Sequence, residues 1–239
     1  MSKSQQNNLY AVSGVKGSGK DLSSDMLQYC LSVPKIFRQY WIYNTFGKIF
    51  PRKYKKIAFA DPLKKMLSTL LNIPLDNFNN RNFKEDCVIN ISTLDYSLSA
   101  FSNDEDRLSD SKFNKLAKNL DSSLLNSNLT IRQLMQYFGT QIMRQFFGKD
   151  VWVNSTLKHA AKNTIITDLR FKSEYDAVKS KNGIVIFINR FGYTFGQHAS
   201  EKEMEDLLLN SKYDFVIDNN GSIEDLFNQV KNVVKNYRS

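Results

Sequence analysis

A short apolar strand, Tyr10-Ala11-Val12, runs directly into Gly14-Val15-Lys16-Gly17-Ser18-Gly19-Lys20, and Leu22, Met26 and Cys30 then recur at helical spacing. Strand, glycine loop and helix in that order are the context a phosphate-binding loop requires. Glycine reaches backbone conformations closed to other residues, so successive N–H groups can turn inward around an anion. The following helix aims the positive end of its dipole at the same point. Lys20 adds a mobile full charge. Gly14, Lys16, Gly17, Ser18, Gly19 and Lys20 are therefore candidate anion-binding residues, joined by Asp21, which stands where Ser or Thr commonly follows the lysine. The bland alternative is a glycine-rich turn that merely links a strand to a helix.

Alternation continues along the chain. Ile57 to Ala60 predicts a second strand, and Asp61-Pro62 opens an apolar helix through Leu63, Met66, Leu67 and Leu70, with Asp61 as cap and Pro62 in the first turn. Residues 76–128 are rich in Asn, Ser and Asp and predict an insertion with short helices, such as Phe113 to Leu125. Thr130 caps a long helix whose inner side carries Ile131, Leu134, Phe138, Ile142 and Phe146. Trp152 to Ala161 reads as helix, Thr164 to Thr167 as a buried strand ending at Asp168, and Ser173 to Lys181 as a helix stopped by Asn182-Gly183. Ile184 to Ile188 and Tyr213 to Ile217 are further strands; Ser200 and Ser222 begin the last two helices. The expected architecture is α/β: an open, mostly parallel sheet with helices on both faces, of the P-loop NTPase-like kind, plus a helical insertion. At 239 residues it reads as one domain, 1–239, with the 76–128 insertion.

The bulk numbers exclude some classes. No apolar run reaches membrane-span length, and the polar start is unlike a signal peptide. Two cysteines, Cys30 and Cys87, do not make a disulfide framework and suit a reducing, cytoplasmic setting. A net charge of +9 suits nucleic acid or small anionic substrates. The basic residues are dispersed, and the densest run, Arg52-Lys53-Tyr54-Lys55-Lys56, reads as a solvated loop, so no stable nucleic-acid partner is expected.

Ligands of open α/β sheets bind beyond the carboxyl ends of the strands, which selects residues 14–21, 61–64, 168–174 and 190–200. Asp168 sits after an apolar strand, where a carboxylate commonly holds Mg²⁺ or its water; Arg170 and Glu174 can surround the same polar spot, either as a functional cluster or as a structural Arg–carboxylate group. Asp21 is either an oxygen ligand for a metal or a helix-dipole partner. Arg132, Gln133, Gln136, Gln141 and Arg144 line the polar sides of the long helix. Arg132 and Arg144 lie about 18 Å apart on an unbroken helix at ~1.5 Å per residue, so both grip one phosphate only if the helix bends, with Gly139 as the candidate point. Trp152 can stack on a base or fill the core. His198 has no visible partner and receives no catalytic role. No Cys/His metal spacing and no nucleophilic triad occurs.

These motifs together resemble the phage-type deoxynucleoside monophosphate kinases. The resemblance rests on Gly17-Ser18-Gly19-Lys20-Asp21, on Phe59-Ala60-Asp61-Pro62-Leu63-Lys64, on Arg132-Gln133-Leu134-Met135-Gln136-Tyr137-Phe138-Gly139-Thr140 with Arg144 and Trp152, and on Thr167-Asp168-Leu169-Arg170-Phe171 with Glu174. It implies transfer of the ATP γ-phosphoryl group to a deoxynucleoside 5′-monophosphate with Mg²⁺. Lys20, Asp168, Arg170 and Glu174 would be catalytic, Asp21 and Asp168 would hold the metal, and Asp61, Lys64, Arg132, Gln136, Arg144 and Trp152 would bind the acceptor. Residues 190–200, hinged at Gly192 and Gly196, would close as a lid against water. One departure is Leu22, where such enzymes carry Thr; Asp21 or Ser23 would have to supply the missing oxygen. The resemblance also implies small-molecule partners only, a cytoplasmic location (the host's, if phage-encoded), and is compatible with a homodimer. Two rival readings share the loop: another small-molecule kinase, of the phosphomevalonate type, and an ATPase stimulated by nucleic acid.

Overall fold

The computed structural model describes residues 8–90, 128–158, 160, 162–192, 194–196, 199–210 and 212–237. The expected helix at Phe113 to Leu125 and His198 lie outside them. The chain divides into two compact units, one from the described parts of Met1–Phe59 and Val153–Ser239, the other Ala60–Trp152.

The first unit is built on five strands, β1 (Leu9–Ser13), β2 (Lys55–Ile57), β5 (Thr164–Leu169), β6 (Ile184–Asn189) and β7 (Phe215–Asp218). They form a wholly parallel sheet in the order β2-β5-β1-β6-β7. Every residue of central β1 is buried. Side chains alternate across a strand, so β1 feeds two cores. Tyr10 and Val12 pack with Met26, Leu27 and Cys30 of α1 (Lys20–Ser32) and with Leu226, Phe227, Val230 and Val234 of the C-terminal helix Ile223–Tyr237. Leu9 and Ala11 pack on the other face with Val153, Leu157, Val178 and Leu207, which come from the helices Val151–Lys158, Lys172–Ser180 and Ala199–Leu209. Helices therefore cover both faces, and the parallel strands read as unbroken apolar runs for that reason.

β5 carries an irregularity that positions the site. Ala11 pairs with Ile166 and Ser13 with Leu169, so two steps of β1 face three of β5. The extra residue is a bulge, which reverses the phase of the strand beyond it. Ile166 and Leu169, three residues apart, consequently enter the same core. Asp168 thus lies within β5 rather than past its end, as the sequence reading had placed it.

The second strand is displaced from expectation. It spans Lys55–Ile57 instead of Ile57 to Ala60, because the N–H of Phe59 donates to Asp168 Oδ1 (2.7 Å) rather than joining the ladder. Lys55 and Lys56, read as solvated loop, are exposed residues of this edge strand, and Tyr54 beside them is buried. Charged edges deter pairing with other chains. Between α1 and β2 lies a helix the sequence reading did not anticipate, α2 (Tyr40–Phe46). Tyr40 and Tyr43 from α2 and Tyr29 from α1 pack around Phe227, with ring centroids 5.9, 5.3 and 6.2 Å from it.

The second unit contains α3 (Asp61–Leu71), α4 (Arg81–Asp86), a small antiparallel pair β3 (Val88–Asn90) and β4 (Asn128–Thr130), and a helical stretch from Ile131 to Phe147. Asp61 is the first residue of α3 rather than its cap; Ala60 occupies the cap position, and Pro62 stands in the first turn. Thr130 does cap its helix, in a reciprocal box with Gln133: Gln133 N–H donates to Thr130 Oγ1 (3.2 Å) and Thr130 N–H to Gln133 Oε1 (2.9 Å). That stretch is not a uniform α-helix. Tyr137–Ile142 is wound as a π-helix, which changes the angular register between its two ends. Buried Gly139 lies inside this segment, where an added Cβ would come within 2.8 Å of Leu63 Cδ2. Leu63, Leu67, Phe78, Ile131 and Trp152 form the unit's core.

Phe227 is fully buried among three tyrosines. Phe227→Ala should cost about 3–5 kcal/mol of stability, the usual loss for a deleted core ring plus its cavity. Urea unfolding should show a lower midpoint with an unchanged slope.

Candidate functional site

The loop after β1 has the geometry its glycines predict. Gly14 (φ 146°), Gly17 (φ 87°) and Gly19 (φ 98°) all lie in backbone regions that favour glycine. A Cβ on Gly14 would sit 2.6 Å from the Ile188 carbonyl and 2.8 Å from Ser18 Oγ. Gly19 caps α1 in a left-handed conformation. Ser18 is wholly buried and its hydroxyl has no hydrogen-bond partner among the described residues. A buried unpaired donor inside a glycine loop suits a ligand that accepts hydrogen bonds.

Lys20 folds back onto this loop, donating from Nζ to the Val15 carbonyl (2.6 Å). Its pKa is lowered from the ordinary 10.5 to about 8, by burial first and by Arg170 second, against the upward pull of Asp21, Asp168 and Glu201. The sequence candidates Lys20, Asp21, Asp168 and Arg170 thus lie within one electrostatic neighbourhood of the first unit. Asp168 is steered by the β5 bulge and held by the Phe59 N–H.

Glu174 serves this arrangement from behind. It is 3% exposed, and its Oε2 accepts from the N–H groups of Arg170 (2.8 Å) and Phe171 (3.1 Å). A carboxylate accepting two amides fixes the turn that carries Arg170. Ser23, one candidate for the missing hydroxyl, is buried and donates back to the Gly19 carbonyl (3.0 Å). Leu22 packs against the sheet core, which accounts for an apolar residue there. Lys16 is exposed at the loop tip.

Two contributors escaped the sequence reading. Glu201 is one, acting on Lys20; its carboxylate also accepts the Gly196 N–H. The sequence marks Glu201 only as part of the helix start at Ser200. Glu203, which stands at capping-box spacing from Ser200, accepts from the Lys172 N–H (2.6 Å). Asn219 is the second contributor, its side-chain amide donating to the Ser18 carbonyl (2.8 Å) across 201 residues of sequence. Arg190, at the foot of the 190–200 segment, reaches the Gly17 carbonyl at 3.5 Å.

In the second unit, Lys64 Nζ contacts Asp61 Oδ1 (3.1 Å) and Asn79 Oδ1 (3.0 Å). Arg132 Nε pairs with Glu85 Oε1 (2.8 Å). Gln136 is exposed and Arg144 half-buried. Trp152 is 6% exposed, and its indole N–H donates to the Gly139 carbonyl (2.8 Å). The core reading of Trp152 is therefore the one the structure favours over base stacking. Among the described residues, no cluster of three or more His, Cys, Asp or Glu side chains could hold a metal ion, and no helix is long and apolar enough to cross a membrane.

The family model for deoxynucleotide monophosphate kinase matches residues 8–230, nearly the whole chain. The chain belongs to the deoxynucleotide monophosphate kinase family. Among curated relatives, the deoxynucleotide monophosphate kinase of Enterobacteria phage T4 is 29% identical over 131 residues, covering 52% of each chain. A protein of Acanthamoeba polyphaga mimivirus, named provisionally as the same enzyme, is 28% identical over 123 residues, covering 45% of this chain and 62% of its own. The chain thus spans about half to three fifths of the length of these relatives. Among solved structures, dephospho-CoA kinase from Campylobacter jejuni aligns over 96% of both chains at 15% identity with a TM-score of 0.36.

The depressed pKa of Lys20 has a measurable sign. Between pH 8 and 10.5 the unfolded chain holds a proton at Lys20 that the folded chain has lost, so this group's contribution to stability rises with pH across that window. An anion bound at the loop favours the ammonium and raises its pKa. ATP binding near pH 8.5 in metal-free buffer should therefore take up a proton, seen as a calorimetric enthalpy that varies with the buffer's ionisation heat. Lys20→Met should remove that dependence.

Proposed function

We propose that this chain transfers the γ-phosphoryl group of ATP to a deoxynucleoside 5′-monophosphate, yielding the diphosphate. The single observation that supports it most is the gathering of Lys20 and Asp21 with Asp168 and Arg170 beside a glycine loop of anion-binding shape, in a chain of this family. In this reading the loop amides and Lys20 hold the donor phosphates. Lys20 lets go of the Val15 carbonyl to do so. Arg170 offsets charge on the moving phosphoryl group, and Glu174 keeps the Arg170 turn in place. Positioning and charge stabilisation carry most of phosphoryl transfer, so no covalent enzyme intermediate is required.

The donor set also fits Mg²⁺, which characteristically takes one or two carboxylates and completes its shell with phosphate oxygens and water. Asp21 and Asp168 would hold it, and when bound it would neutralise charge on the donor phosphates. The 190–200 segment is proposed to cover the donor phosphates from its foothold at Arg190. Asp61, Lys64, Arg132, Gln136 and Arg144 are proposed for the acceptor nucleotide. Their present partners, Asp61 and Asn79 for Lys64 and Glu85 for Arg132, would then be exchanged for phosphate or base.

A panel of phosphate acceptors assayed with ATP and Mg²⁺ tests the reading. Turnover is expected with deoxynucleoside monophosphates. Turnover confined to a non-nucleotide acceptor, or ATP hydrolysis driven by DNA, would replace it with one of the rival activities. Lys20→Ala should lower turnover by ~10²–10³-fold, the usual scale for removing a transition-state donor.

Asp21 calls for a separate experiment. Asp21→Asn keeps the shape and loses the charge a hard cation prefers, so the Mg²⁺ concentration for half-maximal rate should rise. An Asp21→Asn titration that overlays the parent, with only the melting temperature altered, would leave Asp21 as a helix-dipole partner and Asp168 as the remaining metal carboxylate.

A further inference from the structure

We infer that Asn219 is a positioning residue that aims a backbone donor of the phosphate-binding loop; this rests on the reading of that loop as the ATP site. Asn219 follows β7 immediately. Its own N–H donates to the Asn189 carbonyl at the end of β6 (2.8 Å), and its side-chain Nδ2 donates to the Ser18 carbonyl (2.8 Å). The peptide linking Ser18 to Gly19 is planar and trans, so its C=O and N–H point in opposite directions. Tying the Ser18 carbonyl to Asn219 therefore turns the Gly19 N–H away from Asn219. That N–H is the first of the donors at the head of α1, the group an anion at a helix start needs most.

Two further observations carry the assignment. A Cβ on Gly19 would collide with the Asn219 amide nitrogen, so the close approach of this strap and the left-handed turn at residue 19 both need glycine there. The loop that bears Asn219 is itself anchored at several points. Asn189 Nδ2 donates to Asp218 Oδ1 (2.8 Å), Gln229 Nε2 to the Asp218 carbonyl (2.8 Å), and Ser222 and Asp225 cap the next helix reciprocally. Asn220 accepts the Phe191 N–H at 2.6 Å, so the same loop also holds the start of the 190–200 segment. The anchored loop thus holds the Asn219 amide on one carbonyl of the phosphate loop.

The test compares ATP affinity of the full chain, in metal-free buffer, for the parent, Asn219→Ala, Asn219→Asp and Lys20→Ala, with melting temperatures taken on the same samples. Asn219→Ala should weaken ATP binding about threefold to tenfold, the range for losing one neutral hydrogen bond. Asn219→Asp at pH 8 should be weaker still, because a carboxylate cannot donate and faces a carbonyl oxygen. Near pH 5 its protonated form regains an O–H donor, so its affinity relative to Asn219→Ala should rise. Taking that ratio at each pH cancels the titration of ATP and of every other group. A ratio that stays flat with pH, with effects confined to melting temperature, overturns the positioning role. ATP binding at the parental level in both Asn219 variants, with binding lost in Lys20→Ala, also overturns it and leaves the ATP site intact. Parental binding in Lys20→Ala overturns the ATP site itself. If Asn219→Ala does not fold, Asn219→Ser replaces it as the reference for the isosteric Asn219→Asp.

Discussion

Backbone amides can hold an anion only when the carbonyls of the same loop are turned elsewhere. Every peptide carries both groups on opposite sides, so each inward N–H leaves an outward carbonyl that needs a donor. This constraint organises the first unit. The Val15 carbonyl takes Ser18 N–H and the Lys20 ammonium, and the Gly19 carbonyl takes Ser23 twice, through its N–H and its hydroxyl. The Ser18 carbonyl takes Asn219 and the Gly17 carbonyl faces Arg190. Strands β1, β6 and β7 are needed in adjacent places because each delivers one piece of this set. The sheet order is thus tied to the loop as much as to burial.

The other side of the site obeys a related logic. Asp168 and Arg170 are only two residues apart, yet one lies inside β5 and the other in the turn beyond it. Both are held through main-chain amides: Phe59 N–H supports the Asp168 carboxylate, and Glu174 collects the amides of Arg170 and Phe171. Charged side chains in this region are placed by the backbone and then interact through space, as the opposing pulls on Lys20 demonstrate.

Much of this was legible in the sequence. The glycine loop, the alternation of strands and helices, Asp168, Arg170 and the Thr130 cap are local patterns, decided by residues within a turn or two of each other. What escaped reading is non-local. Asn219 meets Ser18 across 201 positions, and no spacing near Asn219-Asn220-Gly221 announces that contact. Glu201 lies in a segment whose local signal is only a helix start at Ser200, whereas its pull on Lys20 exists only after folding. Helix α2 was hidden by its composition: Tyr40-Trp41-Ile42-Tyr43 is aromatic and β-branched, and those types favour strands until tertiary packing overrides them. The early end of β2 had the same kind of cause, since the competitor for the Phe59 N–H is a side chain 109 residues away.

The bulge in β5 makes length, as well as identity, a property of the site. A substitution near Asp168 changes one group, but the loss of a single residue between Ile166 and Leu169 would restore regular alternation to the strand. Leu169, then two positions from Ile166, would keep its place in their shared core, but one residue would stand between them where two stand now. The core would be kept and the site's geometry lost, because the extra residue of the bulge lies in the very segment that bears Asp168. In the language of mutational tolerance, this segment can absorb exchange of side chains far better than any change in their number.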